Sequence, residues 1–171
     1  MTLTEATKQM ELEIEARRAP SPTIRGPLGA LTDLAAGTAA EHLVCADLLL
    51  VGYLAFLADQ NCPYDVAVDL GERLVRVQVK STRALRRIPR GEQLLAPVYS
   101  FTVKRAKGAK RRYAPGEFDV LALVALDIRK IAYLGPSQHR QLVHIKPPGT
   151  QGGKQFEEFP FAAAIAEVRS A

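Results

Sequence analysis

The stretch from Pro63 to Lys80 constrains the fold of this chain more tightly than any other. Val75, Val77 and Val79 alternate with Arg76, Gln78 and Lys80, the period of a half-buried strand. Upstream, Val66, Val68 and Leu70 alternate with Asp65, Ala67 and Asp69. Gly71-Glu72 lies between the two runs as a two-residue turn, with glycine supplying the positive φ at its first central position. That turn pairs Leu70 with Arg73 and, counting outward, Asp65 with Gln78. Opposed residues bring their Cβ atoms to roughly 5 Å. A slip of one residue sends Asp65 and Gln78 to opposite faces, so the turn decides whether they meet.

A carboxylate, an amide oxygen and an ammonium gathered in one place suit a divalent cation and a phosphate. Each residue also has a plainer reading: Asp65 as a strand cap after Pro63, Lys80 as a surface cation at a strand end, Ser81-Thr82 as exposed strand polars rather than phosphate contacts. Upstream, the periodicity predicts a long helix from Thr32-Asp33 to Val51, stopped by Gly52. Glu41 falls on a stripe with Leu34, Gly37, Val44, Leu48 and Val51, where an apolar side chain is expected. Either a cation or strong donors await a buried Glu41, or it sits at the stripe edge and reaches water. Gly37, one turn earlier, leaves room for a backbone or a nucleic-acid strand.

The remaining chain reads as one α/β domain with a mixed sheet. Residues 4–18 predict a charged N-terminal helix and residues 19–27 a Pro-rich linker, giving a 1–30 arm and a 31–171 domain. Residues 97–103 predict a third strand, Phe118 to Leu126 a buried central strand, Ile131 to Leu134 a short strand and Phe161 to Arg169 a closing helix. Asp119 opens the buried strand as a loop-end residue or a further site member.

At 171 residues and 47% hydrophobic content the chain can bury a core, and no apolar run approaches the roughly 20 residues that span a bilayer. Cys45 reads as a small core residue; two cysteines are too few for a disulfide framework, and no Cys/His spacing suggests zinc, so a cytoplasmic location is expected. His42, His139 and His144 have no metal spacing or nucleophile partner. The formal charge is +5 but unevenly spread. Lys80, Arg83, Arg86, Arg87, Arg90, Lys104, Arg105, Lys107, Lys110, Arg111 and Arg112 face only Glu92 in sequence, while the rest of the chain is net acidic. Such a block suits a polyanion such as DNA, with a solvated basic loop as the competing reading. No helix-turn-helix or zinc finger is present, so base reading falls to loops 83–96 and 104–116.

Gly37-Thr38-Ala39-Ala40-Glu41, Leu48-Leu49, Gly52-Tyr53, Pro63-Tyr64-Asp65 and Gln78-Val79-Lys80, in that order, resemble the PD-(D/E)XK nuclease superfamily. The branch they resemble is that of group I intron homing endonucleases and related bacterial proteins, in which Gln stands for the third acid. The resemblance covers residues 37–134. It implies a restriction-endonuclease-like core, a mixed sheet of four to five strands flanked by helices. It also implies a DNA endonuclease, homing or restriction-like or junction-resolving, working as a homodimer or higher homo-oligomer, or an inactive nucleic-acid-binding module of the same fold. Carried over to this chain, Asp65 is the principal ligand of Mg2+ or Mn2+, Glu41 supports it, Gln78 offers its carbonyl oxygen, and Lys80 orients water or stabilises phosphate charge.

Overall fold

The computed structural model describes residues 27–90, 93–94, 96–104 and 113–170. The predicted helix at 4–18, most of the linker and Arg105, Lys107, Lys110, Arg111 and Arg112 lie outside them, as does the side chain of Arg90. A short helix α1 (Pro27–Ala30) leads into α2 (Asp33–Leu50). The Thr32 hydroxyl caps α2 by accepting the Ala35 N–H at 3.1 Å, and Asp33 sits in the positive first turn. Val51 and Gly52 (φ 91°) close it, as the sequence predicted. The expected stripe does not survive. Ala36, Ala40, Val44 and Leu48 are the buried positions, whereas Leu34 and Val51 are 80% and 62% exposed. Two alanines let α2 lie close to the sheet, and the stripe follows an i, i+4 row rather than the sevens.

The main sheet runs β1 (Leu54–Leu57), β2 (Val66–Asp69), β3 (Leu74–Thr82), β7 (Val120–Ala125), β8 (Lys130–Leu134). The intervening short strands are β4 (Pro89–Arg90), β5 (Gln93–Leu94) and β6 (Tyr99–Thr102), and β9 (Leu142–Ile145) follows β8. β3 and β7 are parallel; every other pair in the sheet is antiparallel, so the sheet is mixed. β7 is buried at all six positions, as an apolar run at the centre requires.

The β2–β3 hairpin takes the register that Gly71-Glu72 implies. Val66 faces Val77, Val68 faces Val75, and the Leu70 N–H reaches the Arg73 carbonyl at 3.0 Å. Gly71 takes φ 84°, and the Asp69 carboxylate accepts its N–H at 2.7 Å, fixing the turn. The predicted strand at 97–103 forms, as β6, but not in this sheet: it pairs with β9 as a separate ribbon. Its inward residues Tyr99 and Phe101 have nowhere to bury in an edge position, and on the ribbon they cover β7 and β8 instead. Strands β1, β4, β5 and β9 were not foreseen; β1 spans four residues and β4 and β5 two each, too few to show a period.

Two cores result, one on each sheet face. The valines of β2, β3 and β7 pack with α2 and with α3 (Phe161–Ser170). Leu121, Leu123, Ala132 and Leu134 pack with Tyr99, Phe101, Val143 and Ile145 of the ribbon. Cys45 is half-buried against the first core, its thiol pointing to the Ala55 carbonyl at 3.4 Å.

Candidate active site

β3 outruns β2. Its partner strand begins at Val66, so the Val79 N–H projects beyond the ladder without a strand to receive it. The Asp65 carboxylate fills that gap: its Oδ2 accepts the Val79 N–H at 2.7 Å. The same oxygen accepts the Gln78 side-chain N–H, as the Asp65–Gln78 pairing predicts. Asp65 is thus the strand cap of the plainer reading and the partner of Gln78 at once. Oδ1 receives no hydrogen bond from the described residues.

Burial raises the Asp65 pKa above the ordinary carboxylate value, against the pull of the Val79 N–H, Lys80 and the Gln78 amide. Neutral donors supply most of what faces it. Gln78 is 5% exposed, so its amide is held among protein atoms rather than water. Glu41 is half-buried at the edge of the true α2 stripe. Its pKa is also raised, by burial first and then by the Asp65 charge, with His42 and Lys80 pulling the other way. The helix carboxylate therefore lies within electrostatic reach of both Asp65 and Lys80. Two carboxylates of raised pKa with one lysine between their fields form a site short of positive charge. Lys80 stands over the Tyr113 ring, its Nζ 5.2 Å from the centroid. Sequence reasoning passed over Tyr113, which follows the basic block and gave no periodic signal.

Hard oxygens from two carboxylates, plus one amide oxygen after rotation of the Gln78 side chain, form a donor set suited to Mg2+ or Mn2+ with water and phosphate completing the shell. Among the described residues no group of three or more His, Cys, Asp or Glu side chains is placed to hold a metal ion.

Other residues singled out by sequence have structural partners. Asp119 does not join the site: it accepts two bonds from the Arg76 guanidinium, at 2.8 and 3.0 Å, and the Arg76 backbone N–H at 2.8 Å. Arg83 donates to the Leu31 carbonyl at 2.8 Å and to Asp33 at 3.0 Å, bracing the start of α2. Arg86 and Lys104 are exposed, and Arg87 is half-buried. The Thr82 hydroxyl turns to the Ala84 carbonyl at 3.3 Å. A Cβ built at Gly37 meets only Glu41 Oε1, at 4.0 Å, so among the described residues no other segment occupies the space there. No helix among the described residues is long and apolar enough to cross a membrane.

Residues 33–158 match the family model described as PD-(D/E)XK endonuclease. The match reaches 24 residues past the point where the sequence resemblance stopped, taking in β9 and the turn before α3. No curated protein matches the chain. Among solved structures, that of a bacterial homing endonuclease, I-Ssp6803I, superposes with a TM-score of 0.57. The alignment covers 81% of this chain and 93% of the other at 15% identity, a likeness of fold. With a family model matched over residues 33–158, the chain belongs to the PD-(D/E)XK endonuclease family.

Proposed function

We propose that this protein is a Mg2+- or Mn2+-dependent DNA endonuclease that hydrolyses phosphodiester bonds at the Asp65–Gln78–Lys80 face. The observation that carries the reading is the Asp65–Gln78 contact beside a second carboxylate, Glu41, in a region short of positive charge. Asp65 would be the principal ligand of that ion, Gln78 would offer its amide oxygen after rotation of the side chain, and Glu41 would support the ion directly or through water. When bound, the ion lowers the pKa of a water and offsets charge during in-line displacement. Lys80 orients that water or stabilises the pentavalent phosphate. Water adds to phosphorus, one P–O ester bond breaks, and a phosphate monoester and a hydroxyl end result. Gln78 in place of an acid removes one negative charge, which favours a single ion held weakly until substrate phosphate joins it.

Beyond Lys80, strand β3 runs into a polar cleft of about 570 Å³ lined by Ser81, Arg83, Arg86, Ser100 and Thr102. A DNA backbone leaving the site along β3 meets this cleft, with Arg86, Arg87 and Lys104 contributing phosphate contacts. Arg105, Lys107, Lys110, Arg111 and Arg112 extend the same basic block in sequence. Cutting both strands calls for two sites and hence a homodimer or higher oligomer. Leu50, Val51, Leu54 and Phe56, exposed at the end of α2 and along edge strand β1, offer a surface for the second copy. Free cysteines Cys45 and Cys62 accord with a cytoplasmic enzyme.

A second reading, a DNA-binding module without turnover, draws on the same contact. The Gln78 amide N–H occupies Asp65 Oδ2, and a chain that never rotates it holds no ion. Supercoiled plasmid incubated with protein and Mg2+ or Mn2+ separates the two. The endonuclease nicks or linearises it, and Lys80→Ala loses that activity. Binding without cutting supports the module, and equal cutting by Lys80→Ala removes Lys80 from the mechanism.

A further inference from the structure

An aromatic pocket next to Lys80 takes no part in the chemistry above. It is lined by Tyr113, Phe118 and His139, with Val103, Arg140 and Gln141 around them, and its volume is about 280 Å³. That is near the lower end, about 300 Å³, of pockets that hold small organic ligands. Tyr113 and Phe118 meet edge to face, centroids 5.1 Å apart at 88°. Phe118 and the His139 ring lie 4.9 Å apart at 43°. The rings rest on the ribbon core, which Tyr113 and Phe118 help to cover. Ala114, Pro115, Arg140 and Gln141 are exposed, so the pocket opens to solvent. At that mouth Arg140 Nη1 donates to the Ser137 and His139 carbonyls, at 3.1 and 2.7 Å, which fixes the guanidinium in place. Burial pushes the His139 pKa below its ordinary value, so the imidazole is a neutral ring near pH 7.

The position matters as much as the lining. Tyr113 is shared: it lines the pocket, and Lys80 Nζ stands 5.2 Å from its ring centroid. Whatever fills the pocket therefore shares Tyr113 as a neighbour with the group proposed to meet the scissile phosphate. An aromatic lining and polar side chains at the mouth suit a flat heteroaromatic with hydrogen-bonding edges. An aliphatic side chain of a protein partner would use neither Arg140 nor Gln141.

We infer that this pocket receives a nucleobase unstacked from the DNA strand whose phosphate lies at Lys80. The inference rests on the nuclease reading and deepens it by naming a substrate feature. An intact duplex hides the faces of its bases, and extruding one costs free energy. The cost is least where the base is already unpaired. A protein with such a pocket prefers DNA carrying unpaired nucleotides, because aromatic stacking is sequence-tolerant and adds to backbone contacts.

Fluorescence anisotropy on end-labelled DNA of one length, with Ca2+ in place of Mg2+ to suppress cutting, tests this. One DNA is fully paired and the other carries a central two-nucleotide bulge. The full chain is expected to bind the bulged DNA roughly tenfold more tightly, the scale of one stacked base. Tyr113→Ala removes a half-buried ring from a loop, and Phe118→Leu keeps the apolar volume that the ribbon core needs. Each is expected to erase the preference, and Phe118→Leu to leave affinity for paired DNA within about twofold, well under the tenfold scale of one stacked base. Equal affinity of the wild-type chain for both DNAs overturns the inference. So does a bulge preference that survives in both variants, since flexible DNA alone then explains it. No binding to either DNA contradicts the nuclease reading itself, and the pocket falls with it.

Discussion

Two aspartates flank strand β3, and their surroundings are opposite. Asp119, at the start of β7, is buried, yet bonds and charge from Arg76, with Arg73 behind it at 3.5 Å, hold its pKa below the ordinary carboxylate value. Asp65, on the β2 side, is pushed above that value, with neutral donors on Oδ2 and a second carboxylate nearby. One carboxylate has been given two arginines by the fold; the other has only Lys80, whose pull it shares with Glu41. A charge buried without its counter-ion costs stability, and a chain keeps such a group where a ligand completes it. The contrast supports the proposed role of Asp65 as a ligand and fits Asp119 to a structural role, and each expectation below strains it from one side.

The largest effect expected is on turnover. Asp65→Asn and Lys80→Ala should each lower plasmid cleavage by about a hundredfold to a thousandfold, the scale of losing one preorganised electrostatic contact. Asp119→Asn should leave cleavage near wild type at temperatures where it is folded. Its cost falls on stability. Arg76 and Arg73 keep 34% and 48% of their side chains exposed, so the loss is about 2 kcal/mol rather than the ~3–5 kcal/mol of a fully buried pair. Thermal melts should show Tm lower by roughly 4–8 °C.

Asp65→Asn should move Tm the other way, up by roughly 2–4 °C, because an uncompensated charge leaves while the amide oxygen still accepts the Val79 N–H. The pH dependence carries the sign. A carboxyl whose folded pKa is raised binds its proton more tightly in the native state. Stability then falls as pH climbs from the ordinary carboxylate value through the raised one. The Tm advantage of Asp65→Asn should therefore open across that window and close below it. Asp119, with its pKa depressed, stabilises above the ordinary value and loses that contribution as pH falls through the folded one. Glu41 should report the same field more gently: its pKa, followed by carboxyl NMR, should drop in Asp65→Asn as the like charge disappears. The smallest effect expected is at Gly37→Ala, which should add up to about 1 kcal/mol of stability. If DNA enters the space beside Glu41, the same methyl should weaken DNA binding measured by anisotropy.

Legibility in the sequence followed the local signal. The hairpin could be read because valine alternation and Gly71 specify one register, and the Asp65–Gln78 meeting is a consequence of that register. Glu41 was singled out from a stripe that is not the buried one; Ala36 and Ala40 are too small to announce a core face among other alanines. The ribbon was misplaced because alternation in Tyr99–Thr102 says which side is buried but not which strand it pairs with. Arg83's brace across to Leu31 and Asp33, and the Arg76–Asp119 clamp, join residues dozens of positions apart, and periodicity carries no such information. Tyr113 gained meaning only when the fold brought Lys80 over it.

The most direct measurement is a count of bound Mn2+ by electron paramagnetic resonance, where the free-ion signal falls as ions are taken up. It compares the wild-type chain, Asp65→Asn and Asp119→Asn below their melting temperatures. One ion per chain for wild type and Asp119→Asn, and none for Asp65→Asn at the same concentrations, is the result the contrast predicts. An ion that Asp65→Asn retains, or that Asp119→Asn loses while folded, would contradict it.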